Sequence, residues 1–140
     1  MGSYLSAEEI KQNYIQKLGS DFGYLYYELW YEVSILHLRW DEYVELFGTN
    51  PSWIELLNDS APRFFRTVQD ALWESTLLHI TRLTDPIKSC GKENLSIQCL
   101  LEFIDADIKP IISEQIKDAV TKSKFCRDWR NRQLESTNVV

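Results

Sequence analysis

Apolar positions recur along this chain at steps of three and four, the spacing of a helix face. The longest series is Phe22, Leu25, Leu29, Val33, Leu36, Trp40, Tyr43 and Phe47, with Gly48 where a helix stop belongs. Before it, Ser6-Ala7-Glu8-Glu9 has the form of a capping box and predicts a helix to about Leu18. Gly19 and Gly23 are the candidate interruptions. Asn50-Pro51 reads as a cap with proline in the first turn, opening a short helix through Leu57. Ser60-Ala61-Pro62 starts the next, with Phe65, Val68, Leu72, Thr76, His79 and Leu83 on one face and Asp85-Pro86 as its end. Residues 87–94, with Gly91, read as a polar loop. Asn94 or Ser96 can cap a helix holding Ile97, Leu100, Leu101 and Ile104. Asp107, with Pro110 just inside, begins a last helix through Ile112, Ile116, Ala119 and Val120, reaching about Leu134. No stretch alternates as a half-buried strand does. The pattern predicts an all-α bundle, one helical domain over residues 1–140. Its expected core includes Leu25, Leu29, Leu36, Trp40, Val68, Leu72, Leu83, Leu101 and Ile116.

The long helix carries more apolar surface than one face can hide. Tyr24, Tyr26, Tyr27, Trp30, Tyr31, Ile35 and Leu38 lie off its stripe. Either other helices wrap it on several sides, or part of it meets a partner. This surplus predicts a homodimer. Composition adds the bounds: 140 residues with 44% apolar, 26% charged and only 5 Gly and 4 Pro suit one globular domain. The three cysteines, Cys90, Cys99 and Cys126, form no CxxC pair and no disulfide framework, which points to a reducing, cytoplasmic setting. No apolar run approaches the ~18 residues of a membrane span, so no membrane role is expected. Met1-Gly2-Ser3-Tyr4-Leu5-Ser6 fits the loose N-myristoylation pattern, and fits a cloning remnant equally well.

Charge is unevenly placed. Residues 1–108 hold 17 acids and 8 bases, a balance of −9. Residues 109–140 hold 7 bases and 4 acids, a balance of +3. A basic tail on an acidic body suits phosphate contact, and equally suits a helix whose cations gather at its C-terminal end.

The search for chemistry returns mostly negatives. There is no Gly-rich phosphate loop, HExxH, EF-hand or GxSxG elbow. His37 and His79 lie on different helices among apolar neighbours, with no further ligands at metal spacing. Hydrogen-bonded, partly buried imidazoles are the plainer expectation. Glu28/Glu32 and Glu42/Glu45 lack the Glu-x-x-His partner of di-metal bundles. No metal and no cofactor is expected. One cluster remains: Phe125-Cys126-Arg127-Asp128-Trp129-Arg130-Asn131-Arg132-Gln133-Leu134. Arginine suits bidentate phosphate contact, so Arg127, Arg130 and Arg132 are candidate RNA-binding residues. The competing reading pairs Asp128 with Arg127 or Arg132 and gives the group only the task of closing a helix.

Three stretches together resemble the AbiU-type branch of the HEPN superfamily, helical proteins of abortive phage infection and toxin–antitoxin systems. They are Arg82-Leu83-Thr84-Asp85-Pro86, Gly91-Lys92-Glu93-Asn94-Leu95-Ser96 and Asp128-Trp129-Arg130-Asn131-Arg132-Gln133-Leu134. The Trp- and Tyr-rich helix ending in Glu45-Leu46-Phe47-Gly48 also fits. The resemblance runs from about Tyr14 to Leu134. It implies a four-helix HEPN bundle that dimerises, a cognate antitoxin as a partner, and a metal-independent RNase site. In active members an Arg followed after four to six residues by a His makes that site, the His moving protons and the Arg holding charge on the phosphorane. Arg130 and Asn131 match the opening of the motif, which makes them the candidate catalytic residues. The His belongs at 135, 136 or 137, where this chain has Glu135, Ser136 and Thr137. None of these replaces imidazole near neutral pH. Relatives also continue past this point, so a bundle short of its last helix is the expectation. Three readings follow: a defence domain with an incomplete RNase motif that works by dimerising and binding RNA or protein; an RNase whose base comes from elsewhere, with His37 and His79 the candidates; and a helical adaptor with no nucleic-acid role.

Overall fold

The structure, a computed structural model, describes residues 4–89 and 92–137. The residues that carry the lipidation pattern's Met1-Gly2-Ser3, together with Cys90 and Gly91, lie outside it. Six α-helices make up the described chain: α1 Ala7–Leu18, α2 Ser20–Phe47, α3 Pro51–Ser60, α4 Pro62–Thr84, α5 Lys109–Lys122 and α6 Lys124–Thr137. A 3-10 helix covers Ile97–Glu102. The polar loop carries a two-residue antiparallel pair, β1 Lys88–Ser89 with β2 Lys92–Glu93. The described residues are all-α apart from this ladder.

The helices start and stop for local reasons. The Ser6 hydroxyl accepts from the Glu9 N–H, and the Glu9 carboxylate accepts from the Ser6 N–H at 2.7 Å, completing the capping box. Gly19 ends α1 with φ +89°, a conformation that side chains disfavour. Gly23 does not interrupt α2; it lies inside it and is buried. Asn50 caps α3 through the Ser52 N–H, with Pro51 in the first turn. The expected last helix is two helices, broken at Ser123 between α5 and α6. Serine competes for backbone hydrogen bonds and favours helix starts, and the Cys126 N–H reaches the Ser123 carbonyl at 3.0 Å.

Backbone proximity divides the chain into two compact units, with divisions inside α2, inside α4 and at the end of α5. The first unit comprises Met1–Val33 and Leu83–Thr121. In it α1 folds back on the start of α2. Tyr14 lies 4.8 Å from Tyr26 and 6.4 Å from Trp30, ring to ring, and the Lys11 ammonium sits 4.5 Å over Tyr24. Gly23 permits this approach, because a Cβ there would strike the Ile15 backbone. Phe22 stacks on Phe103 at 5.4 Å. The end of α4 is closed by the segment that returns from the hairpin. Ser96 Oγ donates to the Leu83 carbonyl at 3.1 Å, and Gln98 Nε2 donates to the Thr84 carbonyl at 3.2 Å. Asn94 Nδ2 donates to the Pro86 carbonyl at 2.8 Å. The Ser96 and Gln98 bonds satisfy carbonyls that the end of α4 leaves open, and the Asn94 bond holds the turn that follows.

The second unit comprises Ser34–Arg82 and Lys122–Val140. Leu57, Leu77 and Cys126 are its buried apolar side chains. Thr76 and Thr81 are buried too, their hydroxyls donating to Leu72 and Leu77 one turn back, which removes the cost of burying them. Of the expected core, Leu29, Leu83 and Ile116 are buried, whereas Trp40 is 41% exposed. Trp40 instead stacks on Tyr43 at 5.5 Å, and Tyr43 meets Trp73 at 5.6 Å. An indole tolerates such a half-wet position because its N–H keeps access to water.

Candidate nucleic-acid interface

Helix α6 brings the candidate residues onto one element and then separates them. At 100° per residue, the fully buried Cys126 marks its inward side. Burial pushes the Cys126 thiol above its ordinary pKa, so it acts here as a packed apolar group. Arg127 and Arg130 flank that side and are half-buried, both engaged with neighbouring groups. Arg130 Nε also reaches Asn131 Oδ1 at 3.5 Å. Arg132 lies roughly 200° around the helix from Arg130. It is exposed and makes no ion pair among the described residues. The three arginines therefore do not form one face: two border the packed side and one faces solvent. Asp128 is exposed as well and pairs with neither Arg127 nor Arg132 among the described residues.

Glu135 and Ser136 occupy two of the motif's histidine positions and face solvent. The Ser136 hydroxyl donates to the Gln133 carbonyl at 2.8 Å. Thr137 closes α6.

The two histidines have different fates. His79 is 5% exposed, and its Nδ1 lies 3.1 Å from Arg39 Nη1. A guanidinium only donates, so Nδ1 accepts and the ring is neutral with its proton on Nε2. The sequence did not single out Arg39, which sits off the apolar stripe with nothing to mark it. His37 is exposed and lines a cavity of about 300 Å³. Leu36, Trp40, Trp73, Thr76, Leu77, Ile80 and Phe125 complete that wall. Among the described residues no group of three or more His, Cys, Asp or Glu side chains is placed to hold a metal ion. No helix among them is long and apolar enough to cross a membrane.

The helical architecture, the aromatic-rich α2 and the Arg130-Asn131 pair on α6 are consistent with the HEPN type that the sequence resembles. The AbiU2 family model of that type matches residues 19–134. The chain belongs to the AbiU2 family, and is a HEPN-type abortive-infection domain. No curated protein and no solved structure matches it.

Proposed function

We propose that this defence domain works by pairing with a second copy and binding RNA through α6, without efficient cleavage. The observation that carries the reading is the content of α6. It presents arginine and asparagine for phosphate, and at Glu135 and Ser136 it offers solvent-facing groups that cannot take a proton as imidazole does. Loss of a general base costs roughly 100- to 10,000-fold in rate. Pairing is supported by the aromatic surface of α2, where Tyr24, Tyr31 and Leu38 recur every seventh residue and all are exposed. A cognate antitoxin, as the family resemblance implies, is the protein partner in this reading, and the cytoplasm its setting.

The test is a binding and cleavage assay on purified protein in chelator-containing buffer. Single-stranded RNA should bind, and Arg130→Ala with Arg132→Ala should weaken it, with little product formed by the parent protein. Light scattering should give twice 16.5 kDa at tens of micromolar. Absence of binding defeats the reading. Robust cleavage abolished by Arg130→Ala would instead establish the working-RNase reading. It would point to His37, whose imidazole is exposed, before His79, whose Nδ1 is occupied by Arg39.

A further inference from the structure

None of Arg127, Arg130 and Arg132 lines the cavity beside His37. It lies wholly within the second unit, between residues of α2, α4 and α6. Its floor is sealed: Leu77 and Thr76 are each 2% exposed. Its rim is open and aromatic, with Trp40, Trp73 and Phe125 all more than a third exposed. Thr76 spends its hydroxyl proton on the Leu72 carbonyl, so the exposed His37 ring and the indole N–H groups of Trp40 and Trp73 are the polar groups left to meet a ligand. About 300 Å³ is the lower bound of ordinary ligand cavities, enough for one planar ring system.

Two observations on α6 say what else that ligand carries. Phe125 and Arg132 are seven residues apart, two helical turns, and so share a side of the helix at a spacing of about 10 Å. Arg132 is exposed and has no ion pair among the described residues. A ligand seated against Phe125 therefore meets an available guanidinium a short distance along. A flat ring with stacking faces and polar edges, joined to an anionic group, is the signature of a nucleotide in a strand, whereas an aliphatic side chain of a protein partner offers neither the ring nor the charge. Aromatic walls serve unstacked bases in the same way elsewhere, while cations follow the backbone.

We propose that this cavity receives one unpaired base of a single-stranded RNA, stacked among Trp40, Trp73 and Phe125, with the adjoining phosphate on Arg132. This rests on the RNA-binding reading and adds where the strand is held and why it must be unpaired. Duplex RNA keeps its bases stacked and cannot fill the cavity. Asp128, exposed on the same side of α6, opposes the phosphate, so its charge works against binding.

The experiment is fluorescence anisotropy with a short labelled oligoribonucleotide, single-stranded and as a duplex. The single strand should bind more tightly. Trp40→Ala and Phe125→Ala should each weaken it about 5- to 100-fold, the loss of one base–aromatic stack. Asp128→Asn should tighten it several-fold, and Trp53→Ala, exposed but away from the cavity, should leave it unchanged. Parent protein with 5-bromouridine RNA should crosslink at Trp40, Trp73 or Phe125 on irradiation, a readout that needs no variant to fold. Crosslinks confined elsewhere, with binding lost in Arg132→Ala but kept in both aromatic variants, overturn the cavity proposal and leave RNA binding standing. If the parent binds no RNA, both readings fall. If the aromatic variants lose the dimer and not the RNA, the cavity belongs to a second copy and the proposal is wrong.

Discussion

A single hydrogen atom in place of a side chain decides how α1 meets α2. Gly23 adopts ordinary helical geometry, so its value lies in space and not in backbone freedom. A Cβ would meet the Cα, N and carbonyl of the Ile15 region, none of which can swing aside as a side chain tip does. Gly23→Ala therefore forces the two helices apart, against the small gain in helix propensity that alanine brings. Overpacking of this kind costs about 1–3 kcal/mol. Urea unfolding should show the variant less stable by that order, and an unchanged or raised midpoint would refute the close approach. Gly19, between α1 and α2, differs: its φ is +89° and nothing lies within 4 Å of its would-be Cβ, so substitution there strains backbone alone.

At the scale of elements, caps carry much of the specificity, and they explain what the sequence could and could not disclose. Ser6 and Glu9 were readable because a capping box is local. Its carboxyl is held below the ordinary Glu range, first by the Ser6 backbone N–H and then by the Ser6 hydroxyl. As pH falls the unfolded chain takes the proton first, so this contribution is complete above the usual carboxylate range and is lost as pH drops through the lower folded value. Glu9→Gln should flatten that part of the acid limb in a pH series of unfolding midpoints, and an identical limb would refute the assignment. The closure of α4 is another matter. Ser96 showed itself as a cap candidate for the segment after it, and it does accept from the Gln98 N–H. Its second task, donating to the Leu83 carbonyl thirteen residues back, depends on a return of the chain that periodicity does not encode. Ser96 is 0% exposed, so Ser96→Ala strands a buried carbonyl and should cost about 1–3 kcal/mol by the same unfolding measurement. Ser96, legible in the sequence as a cap for the segment after it, thus also has a physical role in ending α4. Helix positions were legible throughout because hydrophobic steps of three and four are strong over long runs. The break at Ser123, the 41% exposure of Trp40 and the Arg39–His79 contact were not, the last two because they are set by neighbours distant in sequence. In the candidate site the arginines were legible as residue types, but their division between a packed and a solvent-facing side required the fixed position of Cys126.

For the whole molecule, charge governs how any strand of RNA would be held. The chain is acidic, −6 overall, and only residues 109–140 run positive. Non-specific attraction is therefore weak over most of the surface, and contact falls to a few cations of α6. If Arg127, Arg130 and Arg132 each meet one phosphate, three counterions are displaced. Single-stranded nucleic acid gives a slope of about −0.7 per contact in log K against log salt, so the expected slope is roughly −2. Raising salt from 50 to 200 mM should then weaken binding about 15-fold, far less than a basic binder with many contacts would lose. Arg132→Ala should bring the slope to roughly −1.4. Base stacking is indifferent to salt, so Phe125→Ala should lower affinity at every salt concentration while leaving the slope where it was. A titration series on the parent and these two variants separates the terms. A slope near zero would mean that α6 does not hold phosphate. A slope much steeper than −2 would place the strand on cations beyond the three arginines, on Lys109, Lys117, Lys122 and Lys124 as well.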